Sequence, residues 1–335
     1  MKFAINGFGR IGRTLFRSAY KLGLMPSALN DLGPIDNLAY LLKYDSSYGK
    51  FEGDVRIENG NLIVDDKEIK VFNEPDPKKL SWDEEEIDLV IESTGKFTEY
   101  GQANNHISAG AKMVLISAPY KGEKEMKTII YGINHQDLKV DDKIVSMASC
   151  TTNCLVPVAK ILEDEFGVKK AMMNTMHSFT MDQMLQDAPH KDFRRGRNAL
   201  QSIIPTSSGA TIAASRIIPE LKNKMDGYSF RVPTPIVSVL DFIAVMKKEV
   251  KVEELQEKFK HYASEDKFLG SLEVTDEPLV SVDFKANEAA SIVDLNLIQV
   301  VDGDLVRIVA YYDNEMGYSA RMASLIKYIG EQIFN

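Results

Sequence analysis

The chain has 335 residues, 44% hydrophobic and 27% charged, an ordinary globular composition with room for two domains. Its net charge of −9 gives no general attraction to nucleic acid or to anionic membranes, so neither is implied as a partner. Two cysteines are too few for a disulfide framework, the MKFAINGFGRIG start has no signal-peptide core, and no apolar run has the length of a membrane span. A reducing, cytoplasmic setting is expected. The five histidines and two cysteines show no metal-ligand spacing, so no metal is expected.

The first segment, Lys2 to Asn6, is a short apolar run that stops at Gly7. Residues 10–23 then place Ile11, Leu15, Phe16 and Ala19 at helical spacing, which reads as strand, turn and helix. Asp88–Ile91, Lys112–Ser117 and Lys143–Ala148 read as further buried strands. Short apolar runs alternating with helical stretches predict a doubly wound, Rossmann-type parallel sheet. After Ser149 the texture changes. Leu155–Phe166 has a helical period, and Pro157, which suits only an early helical position, leaves the start of that helix open. Longer runs follow at Lys170–Phe179, Tyr228–Val232, Ile236–Met246, Ser291–Val301 and Asp304–Tyr312, with a helical piece at 251–263. They predict an α+β domain with a large sheet. The polar segment 181–209 is too long for a simple turn. Ser319–Phe334 reads as a last helix.

Gly7-Phe8-Gly9-Arg10-Ile11-Gly12 is GxGxxG, placed between a strand and a helix. Such glycines allow a tight turn and close backbone approach to a pyrophosphate, which a helix N-terminus favours. Asp31 follows Gly12 by 19 residues, where a carboxylate hydrogen-bonds ribose hydroxyls and repels a 2′-phosphate. Leu32 beside it supplies no compensating cation, so NAD is expected rather than NADP.

Ser149-Cys150-Thr151-Thr152-Asn153-Cys154 follows a strand and precedes a helical pattern. A cysteine at a helix N-terminus is a candidate thiolate, while a free cysteine is as often a small buried hydrophobe. Cys154 fits the second description, and the residues alone leave Cys150 open between the two. His177, in NTMHSFT, lies 27 residues beyond Cys150 and is a candidate base or a structural histidine. Anion-binding candidates are Thr180, Asp182, Arg194, Arg195, Arg197, the run Thr206 to Gly209, and Arg231.

At this point the residues resemble a known family. INGFGRIGR at 5–13, LAYLLKYDSSYGKF at 38–51, ESTGKFT at 92–98, ASCTTNC at 148–154, PHKDFRRGR at 189–197, IIPTSSGA at 203–210, RVPTP at 231–235 and YDNEMGYSAR at 312–321 are similar to the phosphorylating, NAD-linked glyceraldehyde-3-phosphate dehydrogenases. The resemblance implies a Rossmann domain over 1–148, onto which a C-terminal helix, 315–335, packs back. It implies a catalytic domain over 149–314 with a large, mostly antiparallel sheet. It makes Cys150 the nucleophile and His177 the base in the oxidation of D-glyceraldehyde 3-phosphate, with NAD and inorganic phosphate, to 1,3-bisphosphoglycerate. Gly7, Gly9, Arg10, Ile11, Asp31, Thr94, Ser117 and Asn314 would meet the cofactor. Thr180, Arg231 and Asp182 would hold the substrate phosphate. Ser149, Thr151, Ser208, Gly209 and Arg195, in preference to Arg194, would hold inorganic phosphate. A homotetramer is implied, with the loop 178–201 against a neighbouring subunit. The alternatives are an erythrose-4-phosphate dehydrogenase, which Thr180 speaks against, and a non-catalytic NAD-binding or adhesion protein on the same scaffold. Met147, Phe179, Ile236 and Pro75 depart from the family's pattern, and Ser208 replaces a threonine.

Overall fold

The structure, a computed structural model, describes residues 1–265 and 268–334. The chain divides into two compact units. The first is Met1–Ile129, Asn134–Ala148 and Met322 onward; the second is Ile130–Ile133 and Ser149–Arg321.

The first unit opens with β1 (Phe3–Asn6), α1 (Arg10–Lys21), β2 (Ala28–Asn30) and α2 (Ile35–Lys43). A small hairpin, β3 (Tyr44–Asp45) and β4 (Gly49–Lys50), precedes a meander of β5 (Val55–Glu58), β6 (Asn61–Val64) and β7 (Lys67–Phe72). β8 (Leu89–Glu92), α3 (Tyr100–Ser108), β9 (Met113–Ile116), β10 (Lys127–Thr128) and β11 (Ile144–Ser146) complete the sheet. Its order is β10-β11-β9-β8-β1-β2-β7-β6-β5. From β10 to β7 all pairs are parallel, and β7, β6 and β5 are antiparallel. Every residue of β1, β8 and β9 is buried, as parallel strands covered on both faces require. The 55–72 meander was not legible: its strands are half exposed, and their turns rest on left-handed Asn59, Asp65 and Asp66.

The second unit holds α4 (Cys150–Phe166), β12 (Val168–Ser178), β13 (Ile204–Ser207), α5 (Ala210–Ile217), β14 (Met225–Val232), β15 (Ser238–Met246), α6 (Val252–Ser264), β16 (Leu272–Thr275), β17 (Ser291–Asp294), β18 (Gln299–Val301) and β19 (Leu305–Tyr312). The sheet order is β13-β14-β12-β15-β19-β17-β16, with β18 on β19. Pairing is mostly antiparallel, apart from β12–β14 and β16–β17. Helices α4, α5 and α6 pack on strands of this sheet. Met172, Tyr228 and Leu305 stay exposed.

Three sequence expectations shift. The run Ser291–Val301 is broken: the Asp294 carboxylate accepts the Asn296 amide at 3.0 Å and turns the chain through Leu295–Leu297 between β17 and β18. The helix expected from Leu155 begins at Cys150, because Ser149 caps it, and Pro157 sits in its interior. The polar segment 181–209 contains β13. The last helix, α7 (Met316–Gln332), starts in the second unit and ends in the first, where Tyr328 packs edge-on against His135. Asn335, the end of the expected helix 315–335, lies outside the described residues.

Candidate active site and cofactor crevice

In the first unit the chain leaves β1 toward β2 on one side, while β8 flanks β1 on the other. The carboxyl ends of β1 and β8 therefore form the switch point at which open α/β sheets bind ligands. Gly7, Asp31, Thr94 and Ser117 follow the ends of β1, β2, β8 and β9. Gly7 has φ +95, and a Cβ there would sit 2.7 Å from the Thr94 nitrogen, so only glycine fits. A Cβ on Gly12 would meet the Gly7 oxygen at 2.2 Å. One on Gly9 would meet nothing within 4 Å: the backbone opens to free space at the N-cap of α1, whose first turn carries no acidic residue. The Asp31 carboxylate is held by the amides of Phe8 (2.7 Å) and Gly33 (2.8 Å). Leu32 is exposed. An open helix N-terminus beside a fixed carboxylate fits the pyrophosphate and ribose diol of NAD. Ile11 is half-buried, and the Arg10 guanidinium turns to Asp45 at 2.5 Å. Asn314 belongs to the second unit, where its side-chain oxygen accepts from the Ser238 hydroxyl at 3.1 Å.

In the second unit Cys150 is the first residue of α4. The Ser149 hydroxyl accepts the Thr152 amide at 3.1 Å and fixes the helix start. His177, near the end of β12, brings its Nε2 to 3.4 Å from the Cys150 Sγ. Its register partner on β14 is Arg231. The Arg231 Nη1 lies 2.9 Å from the His177 Nδ1 and donates to the Ser178 carbonyl and the Thr180 hydroxyl, both at 3.2 Å. The Ser178 carbonyl is 2.7 Å from the same Nδ1. An imidazole proton on Nδ1 goes to that carbonyl and leaves Nε2 an acceptor toward the thiol. A proton on Nε2 instead faces a thiolate.

Electrostatics favour the neutral pair. Burial pushes the Cys150 thiol up, against the partial relief of the Arg231 charge and of hydrogen bonds from Thr151. Burial first, and then the Arg231 charge, bring His177 down to about 3. Cys154 is fully buried, bonded to the Ser291 hydroxyl and raised to about 12 by burial, the profile of an inert core thiol.

Two groups of arginine and hydroxyl side chains, the anion-binding candidates of the sequence, stand near this pair. Thr180 hydrogen-bonds Arg231 and Asp182. Burial would raise the Asp182 carboxyl, but the Thr180 hydrogen bond and the charges of Arg231 and Arg195 outweigh it and lower it. Arg195 bonds Asp182 through Nη1 at 2.5 Å and the Thr206 hydroxyl through Nε at 2.9 Å, while Arg194 is exposed. Ser208 and Gly209 sit at the start of α5, which packs on α4. The Thr151 hydroxyl turns inward to the Tyr312 hydroxyl at 2.9 Å.

Sequence reasoning missed Tyr312. Its hydroxyl lies between those of Thr151 and Thr175, and its ring meets His177 edge-on at 6.1 Å. It ends an apolar run, where nothing marks it as part of a site. Met147 and Ile236 are buried, and Phe179 is half-buried. Val237 adopts φ 66, a costly value for a β-branched residue, and its carbonyl accepts the Ser178 hydroxyl at 2.8 Å.

Comparison with known proteins agrees with this geometry. Residues 1–100 match the model of the glyceraldehyde 3-phosphate dehydrogenase NAD binding domain, and residues 149–314 match that of the C-terminal domain. The chain belongs to the glyceraldehyde-3-phosphate dehydrogenase family. It is 48% identical over 336 residues to glyceraldehyde-3-phosphate dehydrogenase of Geobacillus stearothermophilus, covering 99% of each chain. It is 46% identical to glyceraldehyde-3-phosphate dehydrogenase 1 of Bacillus subtilis, again over 99% of each. With the Zymomonas mobilis protein the identity is 48% over 96% of each. Family membership brings NAD as the cofactor and an oxidoreductase activity.

Proposed function

We propose that the chain oxidises D-glyceraldehyde 3-phosphate to 1,3-bisphosphoglycerate with NAD and inorganic phosphate, through Cys150. The observation that carries this is the 3.4 Å approach of Cys150 Sγ, at a helix N-terminus, to His177 Nε2, with Arg231 and Thr180 alongside. The first unit is taken as the NAD-binding domain, including the end of α7, and the second as the catalytic domain.

Arg231 and Thr180, set by Asp182, hold the substrate phosphate, since a guanidinium and a hydroxyl suit its oxygens. The Cys150 sulfur attacks the aldehyde carbon while its proton passes to His177 Nε2. His177 returns that proton to the oxyanion, which gives a thiohemiacetal. NAD, when bound, supplies the acceptor for the hydride that leaves this carbon. His177 takes the hydroxyl proton as the carbonyl re-forms, which leaves a thioester on Cys150. Inorganic phosphate, held by Arg195 with Ser149, Thr151, Ser208 and Gly209, attacks the thioester carbon, and the Cys150 thiolate departs. Asp31 and Leu32 favour NAD over NADP, and Gly7, Gly9, Arg10, Ile11, Thr94, Ser117 and Asn314 complete the cofactor set.

A homotetramer is part of this reading. Met172, Tyr228 and Leu305 on the sheet, and Met181 and Phe193 on the 181–209 loop, are large exposed apolar residues of the kind a subunit interface covers. Light scattering tests it, and a monomeric mass refutes it. A cytoplasmic location is consistent with the absence, among the described residues, of a helix long and apolar enough to cross a membrane. The decisive assay follows NADH formation with aldehyde, NAD and phosphate, each omitted in turn. Loss of signal on omitting any one supports the reading. A higher kcat/KM on erythrose 4-phosphate sinks it.

A further inference from the structure

Three strands of the first sheet end on a polar rung. Asn30, Asn6 and Glu92 are the last residues of β2, β1 and β8, and the parallel register sets Asn6 opposite both others. Each is at most 5% exposed, and the other residues of these three strands are all apolar. The Asn30 Nδ2 donates to Asn6 Oδ1 at 2.7 Å, and the Asn6 Nδ2 donates to Glu92 Oε2 at 2.5 Å. The other Asn30 bonds go to the main chain of Glu74.

From α3, the His106 Nε2 lies 3.1 Å from the same Glu92 oxygen. The Trp82 indole nitrogen lies 3.0 Å from His106 Nδ1. An indole N–H only donates, so Nδ1 accepts and the imidazole proton sits on Nε2, aimed at Glu92. Above the rung, Glu92 Oε1 accepts the Thr94 amide at 2.8 Å and the Thr94 hydroxyl. All four groups around this carboxylate are donors.

Buried polar groups cost free energy unless satisfied, and an apolar rung would hold the sheet without that cost. What this rung adds is direction. Glu92 fixes Thr94, whose nitrogen backs directly onto Gly7, and the Ser93 hydroxyl donates to the Gly7 carbonyl at 2.7 Å. The floor of the crevice is thereby tied to the turn that meets the pyrophosphate.

We propose that Glu92 is a positioning residue for NAD, acting through Thr94 and the Gly7 turn and braced from below by Asn6, His106 and Trp82. This rests on the reading of the Gly7–Gly12 turn as the cofactor site. Glu92→Gln is the sharpest probe, because it keeps the size and replaces one acceptor with a donor. Whichever way the amide turns, its NH2 faces either Thr94 or the pair Asn6 and His106.

The test is NAD binding to the apoprotein, by calorimetry and by the emission of Trp82, the chain's single tryptophan. In E92Q the Kd is expected to rise about tenfold or more, with KM for NAD following. At saturating NAD, kcat stays within about twofold, and the rate of Cys150 alkylation without NAD is unchanged. Thr94→Val also raises the Kd, and the double variant binds no worse than E92Q alone, since both cut one linkage. A Kd within about twofold of wild type in E92Q, whatever happens to Tm, overturns the proposal. Additive effects in the double variant overturn the route through Thr94. Should E92Q fail to fold, T94V decides, because it leaves the rung whole; an unchanged Kd then refutes the link. A wild-type protein that does not bind NAD sinks the cofactor reading instead, so the two failures are distinct.

Discussion

Arg231 places a guanidinium nitrogen 2.9 Å from His177 Nδ1, on the side of the imidazole away from Cys150. A permanent positive charge there opposes protonation of the ring. It adds to burial in bringing His177 down to about 3. On the proposed reading, a substrate phosphate seated on Arg231 and Thr180 would neutralise that charge and raise the proton affinity of His177.

Arg231→Gln therefore moves the His177 titration upward, short of its ordinary value because burial remains. The imidazole NMR signals followed against pH read this directly. Wild type shifts the same way when glycerol 3-phosphate, an unreactive phosphate, is added. No movement in either case removes the proposed coupling.

His177 also makes stability depend on pH with a definite sign. Its ordinary value is 6.5, and in the folded chain it is about 3. The unfolded chain binds the proton first, so stability is complete above about 6.5 and falls as pH drops from there toward 3. Tm measured against pH is expected to decline less steeply for His177→Asn than for wild type across that window. Parallel curves contradict the assignment of this buried, neutral histidine.

Of the two thiols, only Cys150 is expected to matter for chemistry. Cys150→Ser lowers phosphate-dependent NADH formation by roughly 10³-fold or more, while NAD binding persists. Cys154→Ser, in the core of α4, keeps activity and loses some stability. Mass spectrometry after brief iodoacetamide treatment finds the label on Cys150. Label on Cys154 would reverse the two roles.

Asp31 is held by two backbone amides and so presents its carboxylate at little entropic cost. Asp31→Ala raises KM for NAD by about tenfold, the scale of one hydrogen bond to a charged group, and narrows the preference over NADP. An unchanged ratio of kcat/KM for the two cofactors would show that discrimination lies elsewhere.

The parts legible in the sequence are those where chemistry and local geometry coincide. The glycines of residues 7–12 declare themselves, because a Cβ at Gly7 or Gly12 would strike backbone. The start of α4 is less plain: Ser149 caps it, but Pro157, which lies inside the helix, leaves that start open in the sequence. The cysteine was different. Spacing alone left Cys150 and Cys154 open, and only the family resemblance, and then the contrast between a thiol facing His177 and one sealed against Ser291, separated them. Glu92, His106 and Tyr312 stayed hidden because their partners come from distant segments. Trp82 meets His106 across 24 residues, and Tyr312 meets Thr151 across 161. No local period records such a pairing.

Helix α7 begins in the unit that contains Cys150 and ends in the one that contains the glycine turn. The unit that starts at Met1 is thus finished by residues from Met322 onward, which are made only after the second unit. During synthesis its sheet can form, but the surface around His135 waits for Tyr328 until the second unit has been made. A chain cut short before Met322 is therefore expected to leave the unit that was made first incomplete.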